Sequence, residues 1–252
     1  MTVPASVSDV GNLPAIGTLL GVWAHPDDEA YLSSGLMARV RQRGGRVVVV
    51  TATRGEHGTD DPVRWPPERL GPLREAELAA SLGEVGVREH RWLGHRDGEL
   101  DRLTVGDGAA ELVPLIEDLR PDVIVTFGPD GMTGHADHRA VSAWVTEAWR
   151  RTGQPGDLWY ATHTPEFHRT WGELNESVGL WMDTPPSTPA GDLAASVRLT
   201  GSLLARKHRA LRAHASQTHA LEQLVGVDRY REWFATESFV AARTAAARRR
   251  AS

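Results

Sequence analysis

Apolar and polar residues alternate along the chain in two rhythms. Short, nearly unbroken apolar runs occur at residues 18–24 (TLLGVWA), 46–53 (RVVVVTAT) and 122–128 (DVIVTFG), with weaker ones at 89–94 (EHRWLG) and 158–163 (LWYATH). Runs of this length without alternation predict strands buried on both faces, the environment of a parallel sheet. Between them, apolar residues recur at helical spacing over 29–43, 72–86, 109–121 and 135–151. Gly44 and Gly45 close the first of these helices, Pro72 suits the first turn of the second, and Pro114 is expected to interrupt the third.

The last third is less regular. Residues 192–200 read as a strand, 201–217 as a long amphipathic helix, and 229–244 as a short helical or mixed element, followed by the frayed tail 245–252. Segment 164–192 carries no clear pattern. Strands alternating with helices predict an α/β fold: a single domain over 1–252, Rossmann-like, with a mostly parallel sheet and helices on both faces. The ends, 1–16 and 243–252, are expected to be flexible.

Composition narrows the chemistry. The chain has 252 residues, 40% of them hydrophobic and 24% charged, with net charge −5. There is no global basic footprint for nucleic acid, and no apolar run long enough for a membrane span. The first residues lack a basic and apolar leader pattern, so the expected location is the cytoplasm. With no cysteine, a metal would have to use His, Asp, Glu or water.

That constraint directs attention to two polar clusters. WAHPDDEA (23–30) follows the first apolar run, and GPDGMTGHADH (128–138) follows the run DVIVTF. In an open α/β sheet, ligands bind beyond the C-terminal ends of the strands, so both clusters belong on one rim. His25 and Asp28 are three apart, as are His135 and His138. Two histidines and one carboxylate leave a water position open in a four-coordinate zinc site, and His25, Asp28 and His138 are the expected ligands. Asp27, beside ligand Asp28 but pointing elsewhere, is the expected general base. His135 is placed to stabilise an oxyanion or act as the acid. Asp137 either supports one of these histidines or is a charge at a helix start. An acidic helix cap would account for HPDDE by one carboxylate, but leaves His25 and the second cluster unexplained.

AHPDDE together with GHADH resembles the LmbE-like, PIG-L-type zinc-dependent de-N-acetylases. Supporting matches are TATRGEHG (51–58), REAELAASLGEVGV (74–87), RDGEL (96–100), PDVIVTFGPDG (121–131) and KHRALRAHASQ (207–217). The resemblance implies removal of an N-acetyl group from an N-acetylglucosamine-type sugar or glycoside, with Zn2+, or Fe2+ in its place, as cofactor. It also implies Asp27 as base, Arg74 as a contact to substrate hydroxyls or phosphate, and Asp97 as an acceptor for sugar hydroxyls. Glu56 is a substrate-side group or a loop partner of Arg54. Glu29 reads as a helix-start residue, and His214 as a buried structural hydrogen bond. Trp65 is either a sugar-stacking or a packing residue, while Trp144 and Trp149 belong to the core. Two positions depart from the family pattern: Ala136 replaces a proline, and Thr133 replaces the tyrosine of the mycothiol branch. The alternatives are an amidase on a larger sugar conjugate, a non-catalytic metal-stabilised binding protein and a metal-dependent phosphohydrolase. The expected partner is a small amino sugar, with a homo-oligomer compatible with the sequence.

Overall fold

The structure, a computed structural model, describes residues 13–242. Its strands are β1 (Thr18–Trp23), β2 (Arg46–Thr53), β3 (Glu89–His95), β4 (Val123–Phe127), β5 (Asp157–Thr162), β6 (Ala195–Arg198) and β7 (Thr236–Ala241). They form a 7-stranded sheet in the order β3-β2-β1-β4-β5-β7-β6. The first five pair in parallel, and β7 alone runs against its neighbours β5 and β6. Successive residues of β1, β2 and β4 are buried, as a sheet covered on both faces requires. The predicted α/β architecture and its parallel core are therefore present.

The helices are α1 (Asp28–Leu32), α2 (Ser34–Gln42), α3 (Pro67–Glu84), α4 (Val105–Leu119), α5 (Ala136–Arg151), α6 (Pro165–Ser177), α7 (Gly201–Ala213), α8 (Ala215–Val225) and α9 (Val227–Trp233). Helices α2, α3 and α7 pack together, as do α4 and α5. Gly108 lets α4 lie directly on the Trp144 ring of α5, where a Cβ would collide. Trp144 and Trp149 are core residues, as expected.

Several boundaries differ from the periodicity reading. The single helix expected over 29–43 breaks at Ser33, whose φ is −148°. The break is stabilised from far along the chain. Gly35 N and Leu36 N, exposed by it, each donate to the Glu237 carboxylate at 2.8 Å. Helix α3 begins at Pro67 rather than Pro72, because Pro67 takes the first helical position and leaves Pro72 inside. Pro114 does not interrupt α4. The helix runs on through it, started by the Thr104 side chain accepting from Asp107 N and held by buried Leu112, Leu115, Ile116 and Leu119. In both cases the lost backbone bond is outweighed by the buried face. The helix expected over 201–217 ends at Ala213, and His214 starts α8. Segment 164–192 contains α6, and 229–244 divides into the end of α9 and β7. At the N-terminus, Ile16 is buried in the core, so the expected flexible stretch 1–16 does not extend to it. The expected loose segment 243–252 lies outside the described residues.

Two hydrophobic clusters result. The larger lies between the sheet and its helices. The smaller contains Ala30, Leu174, Leu211, Tyr230 and Trp233 and joins α1, α6, α7 and α9. Between β1 and β4 the chain order reverses: β1 continues into β2 on one side, β4 into β5 on the other. Such a reversal opens a crevice at the C-terminal strand ends, where Trp23 leads to His25 and Phe127 leads to His138.

Candidate metal and catalytic site

Three side-chain donors converge in that crevice. His25 Nδ1 lies 3.2 Å from His138 Nε2. His138 Nε2 is 3.3 Å from Asp28 Oδ1, and His25 Nδ1 is 3.7 Å from Asp28 Oδ2. Ligand atoms about 2.0–2.1 Å from a tetrahedral zinc stand roughly 3.3–3.4 Å from one another, so the spacing suits such a cation. The three residues are 7–8% exposed.

The outer partners settle which ring atoms face inward. His138 Nδ1 lies 3.0 Å from Gly131 O, a carbonyl that can only accept, so this nitrogen carries the proton and Nε2 offers its lone pair. Thr133 Oγ1 sits 3.3 Å from the same Nδ1. His25 Nε2 faces Asp97 Oδ1 at 3.0 Å and Asp137 Oδ2 at 3.2 Å, again acceptors only. That leaves His25 Nδ1 to face the cluster. Burial pulls the His25 pKa down, but its hydrogen bonds to Asp137 and Asp97 and the charge of Asp28 outweigh it and push it up to about 10. Burial, then the charge of His25, drives the His138 pKa well below its usual value. Without metal, a proton on His25 Nδ1 fills the gap to His138 Nε2. A divalent cation entering there would displace that proton, the usual coupling of metal and proton. The donor set therefore fits a small divalent cation.

Asp27 occupies the cap of α1 at φ 102°. That left-handed backbone is uncommon for a residue other than glycine and is a form of strain concentrated at functional sites. Three contacts hold it. Asp27 N donates to Glu29 Oε2 at 3.0 Å, Arg74 Nη2 reaches Asp27 Oδ2 at 3.3 Å, and Arg74 Nη2 also donates to Pro26 O at 2.5 Å. Burial raises the Asp27 pKa, Arg74 lowers it and Asp28 raises it, with the result at about 6.

His135 caps α5, its Nδ1 accepting from Asp137 N at 3.1 Å. An accepting Nδ1 leaves Nε2 as the N–H of the neutral ring, free to donate. Asp137 is fully buried. It accepts from Gly98 N at 2.8 Å and Leu100 N at 3.1 Å as well as facing His25, so it is a support for that histidine and more than a helix-start charge. Ala136, where the family pattern has proline, is simply the exposed first residue of α5.

A cavity of about 410 Å³ opens over these groups, with Asp27, Asp28, His25, His135 and His138 in its wall. Arg74 and Asp97 also line it, yet their polar atoms are largely committed. Arg74 is 3% exposed and bonds Gly55 O at 2.8 Å besides Pro26 and Asp27. Gly55, at φ 63°, is glycine by necessity, since a Cβ there would run into the guanidinium. Asp97 accepts from His57 N at 2.9 Å and faces His25, so the expected sugar-hydroxyl acceptor stands as a second carboxylate behind a candidate metal-site histidine. Glu56 is not part of the cavity wall, and its Oε1 accepts from Asp97 N at 3.0 Å. Arg54 pairs instead with Glu75. Trp65 lies outside the wall, with Arg69 4.5 Å from its ring centre, so it packs rather than stacks on a ligand in the cavity.

Two buried networks extend beyond what the sequence shows, the first of them containing the buried hydrogen bond expected of His214. Glu29 is a fully buried hub: it holds Asp27 N, Ser81 Oγ at 3.0 Å and His214 Nε2 at 2.9 Å. Lys207, the single lysine in the chain, donates to Glu237 Oε1 at 2.7 Å and to Tyr31 O at 2.6 Å with about 1% exposure. One lysine retained among 28 basic residues was the available signal. Among the described residues no helix is long and apolar enough to cross a membrane.

The chain is similar in sequence and fold to known proteins. A family profile described as PIG-L, GlcNAc-PI de-N-acetylase, matches residues 20–149, which include every residue of the two clusters. A 1D-myo-inositol 2-acetamido-2-deoxy-alpha-D-glucopyranoside deacetylase of Streptomyces avermitilis is 39% identical over 203 residues, covering 72% of this chain and 66% of that protein. The deacetylase of the same description from Streptomyces scabiei is 33% identical over 250 residues, covering 81% and 77%. The fold is similar to that of N,N'-diacetylchitobiose deacetylase from Pyrococcus horikoshii, with TM-score 0.62 at 22% identity over 90% of this chain and 84% of that one.

Proposed function

The chain belongs to the GlcNAc-PI de-N-acetylase family, and on that premise we propose that it hydrolyses the acetamide of an N-acetylglucosamine-type sugar, with zinc held by His25, Asp28 and His138. The observation that carries the reading is the inward convergence of two ring nitrogens and a carboxylate beside a strained, partly ionisable Asp27. Zinc, or iron(II) in its place, supplies Lewis acidity and lowers the pKa of water at such a site.

The remaining steps belong to the chain. Asp27 accepts the proton of the attacking water, and with a pKa at about 6 it is ionised near neutrality yet basic enough to take a proton. Arg74 and Glu29 fix its position from two sides. His135 Nε2–H donates to the carbonyl oxygen as negative charge develops there. The proton held by Asp27 then passes to the departing amine. A binding protein without catalysis would have no use for a strained carboxylate facing the cavity.

The test is release of amine from N-acetylglucosaminides, with zinc stoichiometry read in parallel for Asp27→Asn and Asp28→Asn. Asp27→Asn should keep zinc and lose about 10²–10⁴-fold in kcat, the usual worth of a positioned base. Asp28→Asn should lose zinc. Near-normal turnover in zinc-loaded Asp27→Asn would remove Asp27 as base, and absence of amine release from every acetamido sugar would overturn the reaction.

A further inference from the structure

Away from the metal-site donors, the character of the cavity wall changes. Tyr31 and Leu32 of α1, Leu180 and Trp181 after α6, Leu221 of α8 and Phe234 after α9 all contribute to it. Each is only partly buried, with the remaining surface not covered by protein. Most of them pack on the smaller hydrophobic cluster, so this arm has its own apolar foundation, separate from the sheet core.

The arm is built in advance of any ligand. Asn175 is fully buried; its side-chain oxygen accepts from Trp233 Nε1 at 3.0 Å, and its backbone carbonyl accepts from Leu180 N at 3.0 Å. Met182 N donates to Thr133 O at 2.8 Å, which ties the far side of Trp181 to the loop that ends at His135, the cap of α5. Trp181 is thus held between the end of α6 and the candidate catalytic loop, with its ring against those of His163 and His168. Most polar groups nearby are occupied, and the ring of His163, also in the wall, stacks on Phe167. Tyr31 OH pairs with Tyr230 OH at 3.0 Å, Thr162 Oγ1 with Thr188 Oγ1 at 2.8 Å, and the Glu237 carboxylate is taken by Gly35, Leu36 and Lys207.

A polyhydroxylated group placed here would exchange water hydrogen bonds for apolar carbon and spent donors, an unfavourable exchange. A flat apolar group would bury its faces against Trp181, Phe234 and Tyr31. We propose that this arm is a substrate subsite for a flat apolar substituent on the amino sugar, and that it sets the specificity of the chain apart from enzymes whose sugar carries a polyol. The inference rests on the acetamido-sugar reading above for the part of the ligand that faces the donors. The substituent can sit on the anomeric oxygen or on the amide carbonyl; both present the same apolar faces.

Two measurements separate the outcomes. The first is the Kd of phenyl and methyl 2-amino-2-deoxyglucosides by calorimetry, which needs no turnover. The phenyl compound should bind about tenfold tighter, and Trp181→Ala and Phe234→Ala should each bring the ratio towards one. Equal binding of the two glycosides, or a ratio unmoved in both variants, overturns the subsite on the anomeric side. The second is kcat/KM for phenyl and methyl N-acetylglucosaminides against N-benzoylglucosamine and N-acetylglucosamine. A preference in the first pair assigns the arm to the aglycone, and one in the second assigns it to the acyl group. No preference in either pair, together with equal Kd values, refutes the proposal. Tighter phenyl binding with no hydrolysis of any compound refutes the reaction and leaves the subsite standing.

Discussion

Removing Asp97 distinguishes two roles that the residue could have. As a sugar-hydroxyl acceptor, its loss should raise KM and leave the metal alone. The structure places Asp97 Oδ1 3.0 Å from His25 Nε2, with Asp137 Oδ2 as a second acceptor at 3.2 Å. Deleting a group that orients a metal-site histidine costs about 10–100-fold in metal affinity. Asp97→Ala leaves Asp137 still facing the ring, so the lower end applies: about tenfold, or roughly 1.4 kcal/mol. The same deletion weakens the hold of His25 on the proton that competes with metal, and this offsets part of the loss. The deficit should therefore grow as pH rises from about 7 towards about 9, where proton competition fades. Zinc Kd by chelator competition at both pH values is the assay, with kcat/KM at saturating zinc measured alongside. Asp97→Asn keeps an acceptor oxygen and should recover most of the affinity. An unchanged zinc Kd at both pH values with a raised KM would refute the reasoning and return Asp97 to the substrate.

Two further outcomes follow from buried groups away from the metal-site donors. Lys207→Met strands the Glu237 carboxylate in a site with 0% side-chain exposure and should cost about 3–5 kcal/mol in urea unfolding, with part recovered in Lys207→Met/Glu237→Gln; a loss under about 1 kcal/mol would show the pair to be dispensable. Burial holds the His163 pKa down to about 3, so on acidification the unfolded chain takes up a proton that the folded chain refuses. Stability from this group falls below about pH 6.5, by at most about 2 kcal/mol at pH 5. His163→Phe should lose less melting temperature than the parent between about pH 8 and pH 5, and equal losses would exclude His163 as a source of the acid sensitivity.

The parts of the fold most legible in the sequence are those governed by contacts close along the chain. VVVV and VIV read as buried strands because a parallel sheet demands apolar residues at every position, and the two polar clusters follow directly at their ends. The break at Ser33 was hidden because its stabiliser, Glu237, is 202 residues from Gly35. Pro72 and Pro114 were read by local propensity, whereas burial of one helix face decided the outcome. Asp97 illustrates the same limit within the site. Its residue type and loop position suit a sugar contact, and only the fold brings it 72 positions back to His25. Glu29 is the helix-start acid its position suggests, in the first turn of α1, but its partners Ser81 and His214 lie far along the chain and are not legible locally.

The position of β7 has a consequence for how the molecule is made. It is the last strand among the described residues, yet it stands between β5 and β6 and runs against both. Until residues 236–241 have left the ribosome, β6 has no neighbour in the sheet and β5 presents an open edge. Glu237 travels on that strand, so the amides at the start of α2 and the ammonium of Lys207 also wait for it. The first turn of α2 is thus translated about 200 residues before the strand that braces it. Pairing of β7 therefore couples the start of α2 to the ammonium of Lys207, and local opening of the β6–β7 edge would release both together.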